Sequence, residues 1–132
     1  MAQSDASQAV HKRTVLMCRF SALGDVAMTV PVIYSACRNY PDVQFVMVTR
    51  PSMTSLFVGA PANLAVVGAD VNGVYSGVKG LRLLASELYE RYHPSVLIDL
   101  HNVLRTRLLA VFLRFKGVPS VQIGRASCRE RV

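Results

Sequence analysis

Several common signatures are absent from this chain of 132 residues. No G-x-G-x-x-G pattern follows an apolar run and no Walker-type G-K-[ST] loop occurs, so a dinucleotide oxidoreductase or a phosphate-loop NTPase lacks its usual sequence support. The apolar runs are short and interrupted, and none approaches the roughly 20 residues of a membrane-spanning helix. There is also no internal repeat and no nucleic-acid signature of basic residues interleaved with aromatics.

Cysteine is scarce, with three residues in all, and one of them, Cys128, lies in the terminal stretch 123–132. Cys18 falls in an apolar run and Cys37 falls on the apolar stripe of a predicted helix. We therefore interpret both as small core residues rather than as a disulfide or as ligands. No spacing typical of a metal site occurs, and we expect neither a metal nor a cofactor.

Acidic residues are few, and 15 Lys and Arg against 8 Asp and Glu give a formal charge of +7. The stretch 123–132 reads I-G-R-A-S-C-R-E-R-V, which is the translation of a common sequencing-adapter read-through. We expect it to be an artefact, and the alternative is a genuine basic tail. Arg125, Arg129 and Arg131 against Glu130 contribute +2, which leaves +5 for the remainder. A basic balance suits an anionic partner such as nucleic acid, a membrane surface or a phosphorylated sugar lipid.

The length and the hydrophobic content of 52% predict one compact domain, which we assign to residues 14–122. We expect residues 1–13 to form a disordered polar tail, and the native sequence to be cut near Gln122 if the terminal stretch is an artefact. Basic residues 11–13 before an apolar stretch weakly imitate a secretory signal. Arg19 and Asp25 interrupt that stretch, so the cytoplasm is the expected location.

Strand and helix patterns alternate along the chain, which predicts an α/β fold with a doubly wound parallel sheet and helices on both faces. We predict strands over residues 14–19, 43–49, 64–67, 95–100 and 119–122. We predict helices over residues 25–39, 53–58, 80–92 and 101–116, and an irregular loop over 68–80.

Apolar spacing predicts which side of each long helix faces the core. In the first helix the inward residues are predicted to be Val26, Val30, Ile33 and Cys37. Pro31 is expected to bend this helix or loosen its second turn. In the last helix the inward residues are predicted to be Leu104, Leu108, Val111 and Phe115.

The junction between the first strand and the first helix carries Arg19, Ser21 and Asp25. In an open α/β sheet, ligands bind outside the carboxyl ends of the strands, and free N–H groups at a helix start attract an anion. Arg19 and Ser21 could add a cation and a hydroxyl there, and Asp25 is the one candidate base. The alternative is that Ser21 or Asp25 only caps the helix.

Two later strand ends carry further polar residues. Arg50 follows the second strand, where its cation could reach the same crevice as Arg19. His101 and Asn102 follow the fourth strand, and offsets of four and three would set them on one helical face with Arg105. We interpret His101 as a hydrogen-bond donor to a ligand or as a helix-start residue, and a role as catalytic base is a further alternative.

Three stretches carry a family resemblance. They are R-F-S-A-L-G-D-V with T-V-P-V at 19–32, V-T-R-P at 48–51, and V-L-I-D-L-H-N-V-L-R at 96–105. In this order and at this spacing they resemble the opening of the glycosyltransferase family 9 heptosyltransferases, which build the inner core of lipopolysaccharide.

The resemblance implies the GT-B architecture, in which one Rossmann-like domain binds a lipid-linked acceptor and a second binds the ADP-heptose donor. It implies an inverting transfer in which Asp25 is the base that takes the proton of the acceptor hydroxyl. The acceptor-binding residues that it implies are Arg19, Ser21, Leu23, Gly24, Arg50, His101, Asn102 and Arg105.

The same resemblance places the donor domain after residue 122, so this polypeptide alone is expected to be inactive. The implied partners are an anionic lipid-linked sugar acceptor, a nucleotide-sugar donor and the inner face of the cytoplasmic membrane as a peripheral contact, with no nucleic acid. The alternatives are a stand-alone Rossmann-like anion-binding module and another GT-B nucleotide-sugar transferase.

Overall fold

The computed structural model describes residues 13–122. Of the predicted tail only Arg13 lies among them, as the first residue of a strand, and the stretch 123–132 lies outside them. The strands are β1 (Arg13–Cys18), β2 (Val43–Thr49), β3 (Leu64–Gly68), β4 (Val96–Asp99) and β5 (Ser120–Gln122). The helices are α1 (Leu23–Asn39), α2 (Gly77–Tyr92) and α3 (Leu104–Arg114), and a 3-10 helix spans Pro51–Leu56.

All five strands pair in parallel, in the order β3-β2-β1-β4-β5. The central strand is β1, in which Leu16 lies level with Val46 of β2 and Leu97 of β4. A strand that is covered on both faces is apolar without alternation, as β1 is. The predicted doubly wound parallel sheet is confirmed.

Helices cover both faces of the sheet and make two separate cores. On one face, Leu16 and Val46 pack in a cluster with Leu84 of α2 and Leu109 of α3. On the other face, Met17 belongs to a cluster that includes residues of α1 and of the 3-10 helix. Successive residues of β1 therefore serve opposite cores, as the alternation of side chains along a strand requires.

The predicted inward stripe of α1 is confirmed. Val26, Ile33 and Cys37 are buried, and Val30 is partly buried against the same core. The helix continues through Pro31. Both described cysteines are buried free thiols, as their interpretation as core residues predicts.

The predicted start of the last helix is wrong. The helix begins at Leu104, because Oδ1 of Asp99 accepts hydrogen bonds from the backbone N–H groups of His101 and Asn102. Asn102 then adopts a left-handed φ of 56°, a conformation that asparagine tolerates better than most residues. His101 and Asn102 therefore lie in a turn and do not share a helical face with Arg105.

The predicted inward stripe of α3 is also wrong. The side chains that α3 buries are Thr106, Leu109, Ala110 and Leu113. Of the predicted stripe, Leu104, Val111 and Phe115 are exposed and Leu108 is half-buried. Thr106 can face inward because its hydroxyl exchanges hydrogen bonds with the backbone N–H and C=O of Val103.

The starting residues of two other helices also differ from the prediction. The short helix predicted over 53–58 is a 3-10 helix that begins at Pro51, where a proline fits because no N–H donor is needed. The second long helix begins at Gly77 rather than Gly80, so the predicted loop is shorter. A Cβ at Gly80 would collide with the backbone of Tyr75, which explains the glycine inside this helix.

Leu109→Ala and Leu104→Ala change the same residue type on opposite sides of α3 and so test which stripe is buried. Because Leu109 is fully buried, Leu109→Ala should lower the free energy of unfolding by about 2–5 kcal/mol. Leu104 is 74% exposed, so Leu104→Ala should change it by no more than about 0.5 kcal/mol. Urea denaturation of both variants measures the difference. Equal losses, or a larger loss for Leu104→Ala, would contradict the observed orientation.

Candidate functional site

The candidate site lies at the carboxyl edge of the sheet, where the loops after β1, β2 and β4 meet. These strands are neighbours in the order β2-β1-β4 and run in parallel, so their carboxyl ends share one edge. Arg19 follows β1, Arg50 follows β2 and His101 lies just after β4. The sheet therefore brings together residues that are up to 82 positions apart in the chain, from Arg19 to His101.

An ion pair joins the first loop to the first helix. Nη2 of Arg19 lies 2.9 Å from Oδ2 of Asp25, and Nη1 of Arg19 donates to the backbone C=O of Leu100 at 2.6 Å. The Arg19 side chain is 19% exposed and the Asp25 side chain is 57% exposed. One guanidinium thus links β1, the loop after β4 and the first turn of α1, and it leaves the carboxylate open to solvent.

The capping alternative for this loop is not what the structure shows. The N-cap of α1 is Ala22, and it makes no side-chain hydrogen bond to the helix. Asp25 is in the first turn and has Arg19 as its partner instead. Leu23 and Gly24 open the helix and are both exposed, and a Cβ at Gly24 would meet no atom within 4 Å.

His101 packs against the first loop through both ring nitrogens. The backbone N–H of Phe20 points to Nδ1 at 3.4 Å, and Oγ of Ser21 lies 3.4 Å from Nε2. An imidazole that accepts at Nδ1 and is neutral carries its proton on Nε2. His101 therefore donates to Ser21 and holds that hydroxyl at the edge of the site.

Burial lowers the pKa of His101 from its ordinary value of 6.5, and the positive charge of Arg19 lowers it further. The negative charge of Asp99 acts in the opposite direction, and the charges of Arg105 and Arg50 lower the pKa again. His101 is therefore neutral at neutral pH.

The remaining predicted site residues are held by other contacts. Arg105 donates from Nη2 to Oδ1 of Asn72 at 3.4 Å, which ties α3 to the loop before α2. Asn102 accepts at Oδ1 from Nε of Arg107 at 3.1 Å. Nε of Arg50 is buried and has no hydrogen-bond partner among the described residues.

The role of Asp99 was not predicted from the sequence. Its side chain is fully buried, and Oδ1 holds the turn of His101 and Asn102 while the thiol of Cys18 lies 3.9 Å away. Burial and the nearby Asp99 charge raise the pKa of the Cys18 thiol well above its ordinary value. An aspartate that ends an apolar strand and precedes two polar residues is the signal that could have predicted this turn.

Residues 13–122 contain no group of three or more His, Cys, Asp or Glu side chains that could hold a metal ion. No helix within that same part of the chain is long and apolar enough to cross a membrane. What the arrangement does offer is the exposed carboxylate of Asp25 beside the guanidinium of Arg19.

Several solved structures share this fold. The glycosyl transferase family 9 protein from Veillonella parvula matches with a TM-score of 0.72 and 19% identity, over 86% of this chain and 37% of that one. The E. coli heptosyltransferase WaaC with ADP matches with a TM-score of 0.56 and 19% identity, over 83% of this chain and 34% of that one. The C-terminal domain of the PF1911 hydrogenase from Pyrococcus furiosus matches with a TM-score of 0.56 and 16% identity, over 84% and 91%.

These comparisons establish a Rossmann-like α/β fold, and they agree with the family resemblance of the sequence at the level of the fold. The chain spans about a third of the length of the two transferases that it matches. No family model and no curated protein matches the chain. The hydrogenase domain shows that the fold is not tied to one activity, so function has to be argued from the site.

The lowered pKa of His101 predicts that stability depends on pH. Unfolding restores the ordinary pKa of 6.5, so the unfolded chain binds a proton more readily than the folded one. The contribution of His101 to stability is therefore complete above 6.5 and is lost as the pH falls through the lower folded pKa.

His101→Gln, which does not titrate, is the reference for this prediction. Relative to that variant, the wild type should lose stability between neutral and acidic pH, as measured by urea unfolding at each pH. If the difference in unfolding free energy between wild type and His101→Gln stays constant over this pH range, or changes in favour of the wild type in acid, the lowered pKa is contradicted.

Proposed function

We propose that this chain is the acceptor-binding domain, residues 14–122, of an inverting GT-B glycosyltransferase of the heptosyltransferase type. The observation that carries the proposal is the exposed Asp25 carboxylate, paired with Arg19 at the carboxyl edge of a Rossmann-like sheet. The fold shared with a family 9 glycosyl transferase and the matching sequence motifs support it. The donor is ADP-heptose, and the acceptor is an anionic sugar of the lipopolysaccharide inner core.

The proposed reaction is a single displacement. Arg19 binds Oδ2 of Asp25, so Oδ1 is free to take the proton of the acceptor hydroxyl. The acceptor oxygen then forms a bond to the anomeric carbon of the donor, while the bond from that carbon to the diphosphate breaks and ADP leaves. The attack from the face opposite the diphosphate inverts the anomeric configuration. This chain supplies the base, and a second domain supplies the diphosphate contacts.

The arginines provide acceptor recognition in this proposal. Arg19 and Arg50 lie at adjacent strand ends, and charged hydrogen bonds from guanidinium groups to carboxylate or phosphate are strong. The hydroxyl of Ser21 and the open start of α1 at Leu23 and Gly24 add donors on the same edge. His101, Asn102 and Arg105 would line the other side. No cofactor is needed, and the reaction would take place in the cytoplasm at the membrane face.

A second candidate function is a stand-alone anion-binding module. The observation in its favour is that Arg19 and Arg50 follow adjacent strands at one edge of the sheet, where two guanidinium groups could bind an anion without a second domain. A third is transfer of another sugar from a nucleotide donor by a related two-domain enzyme. Sequencing the genomic DNA beyond the codon of Gln122 separates the module from the two transferases, because an open frame with a second α/β domain favours a transferase and a stop codon favours the module.

Asp25→Asn tests the proposed base in the full-length enzyme recovered in this way. The amide keeps the shape of the side chain but removes its basicity, so kcat should fall by roughly a hundredfold or more while acceptor binding is largely kept. Initial rates of ADP release with ADP-heptose and an acceptor measure the change. Asp42→Asn, an exposed aspartate after α1, is the matched control and should leave the rate unchanged.

Near-normal turnover by a folded Asp25→Asn enzyme contradicts the assignment. The carboxylate would then be only a structural partner of Arg19, and His101 would be the next candidate base. A neutral imidazole has a free electron pair, but Nδ1 already accepts from Phe20 in this structure.

A further inference from the structure

Both nitrogens of the His101 ring are occupied by contacts with the first loop. Nδ1 faces the backbone N–H of Phe20 at 3.4 Å, and Nε2 faces Oγ of Ser21 at 3.4 Å. A neutral imidazole has one donor and one acceptor, so these two contacts use all of its hydrogen-bonding capacity. His101 therefore has no polar atom left with which to bind a ligand directly.

The N–H of Phe20 determines which ring nitrogen carries the proton. Phe20 is fully buried, and its N–H has no other hydrogen-bond partner within residues 13–122. A buried N–H without a partner is costly, so Nδ1 must accept and the proton lies on Nε2. Burial and the positive charge of Arg19 lower the pKa of His101, which keeps a second proton off the ring at neutral pH.

The proton on Nε2 in turn orients the hydroxyl of Ser21. Oγ accepts from the ring, and the hydroxyl proton has no acceptor in the part of the chain that the structure describes. A hydroxyl has one donor and two acceptor sites, so the remaining proton points away from the imidazole. Ser21 is half-buried at the edge of the sheet, on the loop that carries the ion pair of Arg19 and Asp25. Its proton is therefore available to a ligand at this edge.

The turn that carries the ring is held in place before any ligand binds. Oδ1 of Asp99 accepts from the N–H of His101 at 3.0 Å and from that of Asn102 at 2.8 Å. Nη1 of Arg19 donates to the C=O of Leu100, the residue that precedes His101. Because the backbone is held on both sides, little ordering of the ring has to accompany binding, which favours affinity.

We propose that His101 is a positioning residue, which points the hydroxyl proton of Ser21 at an oxyanion of the ligand and makes no contact with the ligand itself. A carboxylate or phosphate oxygen accepts hydrogen bonds and does not donate them, so it matches this proton. The proposal rests on the proposed function for the location of the acceptor, and it changes the role of His101 from binding to positioning. Contacts of 3.4 Å are long for hydrogen bonds, and such contacts often shorten in the ligand complex.

Nuclear magnetic resonance of the 132-residue chain tests where the ring proton lies. In a long-range proton–nitrogen correlation spectrum at neutral pH, Nε2 of His101 should carry the proton and Nδ1 should not. Ser21→Ala should leave this tautomer unchanged, because the N–H of Phe20 sets it. A proton on Nδ1 would overturn the proposal.

Binding of small oxyanions to the same chain tests the role of the hydroxyl. Methyl phosphate and acetate are titrated separately, and the shift of the backbone amide at position 21 gives each dissociation constant. For the anion that binds more tightly, Ser21→Ala should weaken binding about tenfold. His101→Phe keeps an uncharged ring but removes the donor, and it should weaken binding about fivefold. His101→Gln restores an N–H donor and should recover most of that loss.

A double-mutant cycle separates positioning from a direct contact and from a general effect on the fold. If His101 acts only through Ser21, adding His101→Phe to Ser21→Ala should cause no further loss of affinity. Ser35→Ala and His93→Phe are the matched controls. Ser35 is exposed in the second half of α1, and His93 is exposed before β4 at the opposite edge of the sheet. Both should bind the anion as the wild type does, and circular dichroism melting confirms that each variant is folded.

Three binding results would contradict the positioning role. The first is that neither anion shifts the amide at position 21 in the wild type. The second is that Ser21→Ala binds the anion as tightly as the wild type. The third is that His101→Phe causes the same loss with and without the Ser21 hydroxyl. None of these measurements uses a sugar donor or turnover, whereas the proposed function fails on the turnover of Asp25→Asn, so the two failures are distinguishable.

Discussion

Parallel pairing of β1 with β2 on one side and β4 on the other is the constraint on which the rest of the structure depends. Because parallel strands point the same way, the segments that follow Cys18, Thr49 and Asp99 come out at one edge of the sheet. The helices must then cross back over the two faces, which leaves this edge open. Arg19 reinforces the arrangement, since its guanidinium holds both the loop after β4, at the C=O of Leu100, and the first turn of α1.

Hydrogen bonds that a buried carboxylate accepts give that edge its shape. Asp99 holds the turn after β4 through two backbone N–H groups, and the turn presses the ring of His101 against Phe20 and Ser21. The neighbouring arginines favour the neutral ring, so the positive charge at the edge comes from guanidinium groups. The exposed oxygen of Asp25 is left beside them, which is the arrangement that a proton acceptor near an anionic ligand needs.

Helix α3 carries apolar side chains on two faces, one that packs in the core and one that is largely exposed. The inner face builds the core with α2, and its burial is what a parallel sheet covered by helices requires. On the other side of α3, Leu108 is partly buried against the described core, whereas Leu104, Val111 and Phe115 are exposed.

The sequence by itself determined the alternation of strands and helices, because continuous apolar runs and the helical period are local patterns that do not depend on tertiary contacts. The second strand and the inward stripe of α1 follow directly from that signal, and so does the place of Arg19 and Arg50 at strand ends. Only the tertiary structure decided where α3 begins, because that depends on the hydrogen bonds that the Asp99 carboxylate accepts from the backbone N–H groups of His101 and Asn102. It also decided which side of α3 is buried, because a helix that is apolar on two sides has no unique inward face until the sheet selects one.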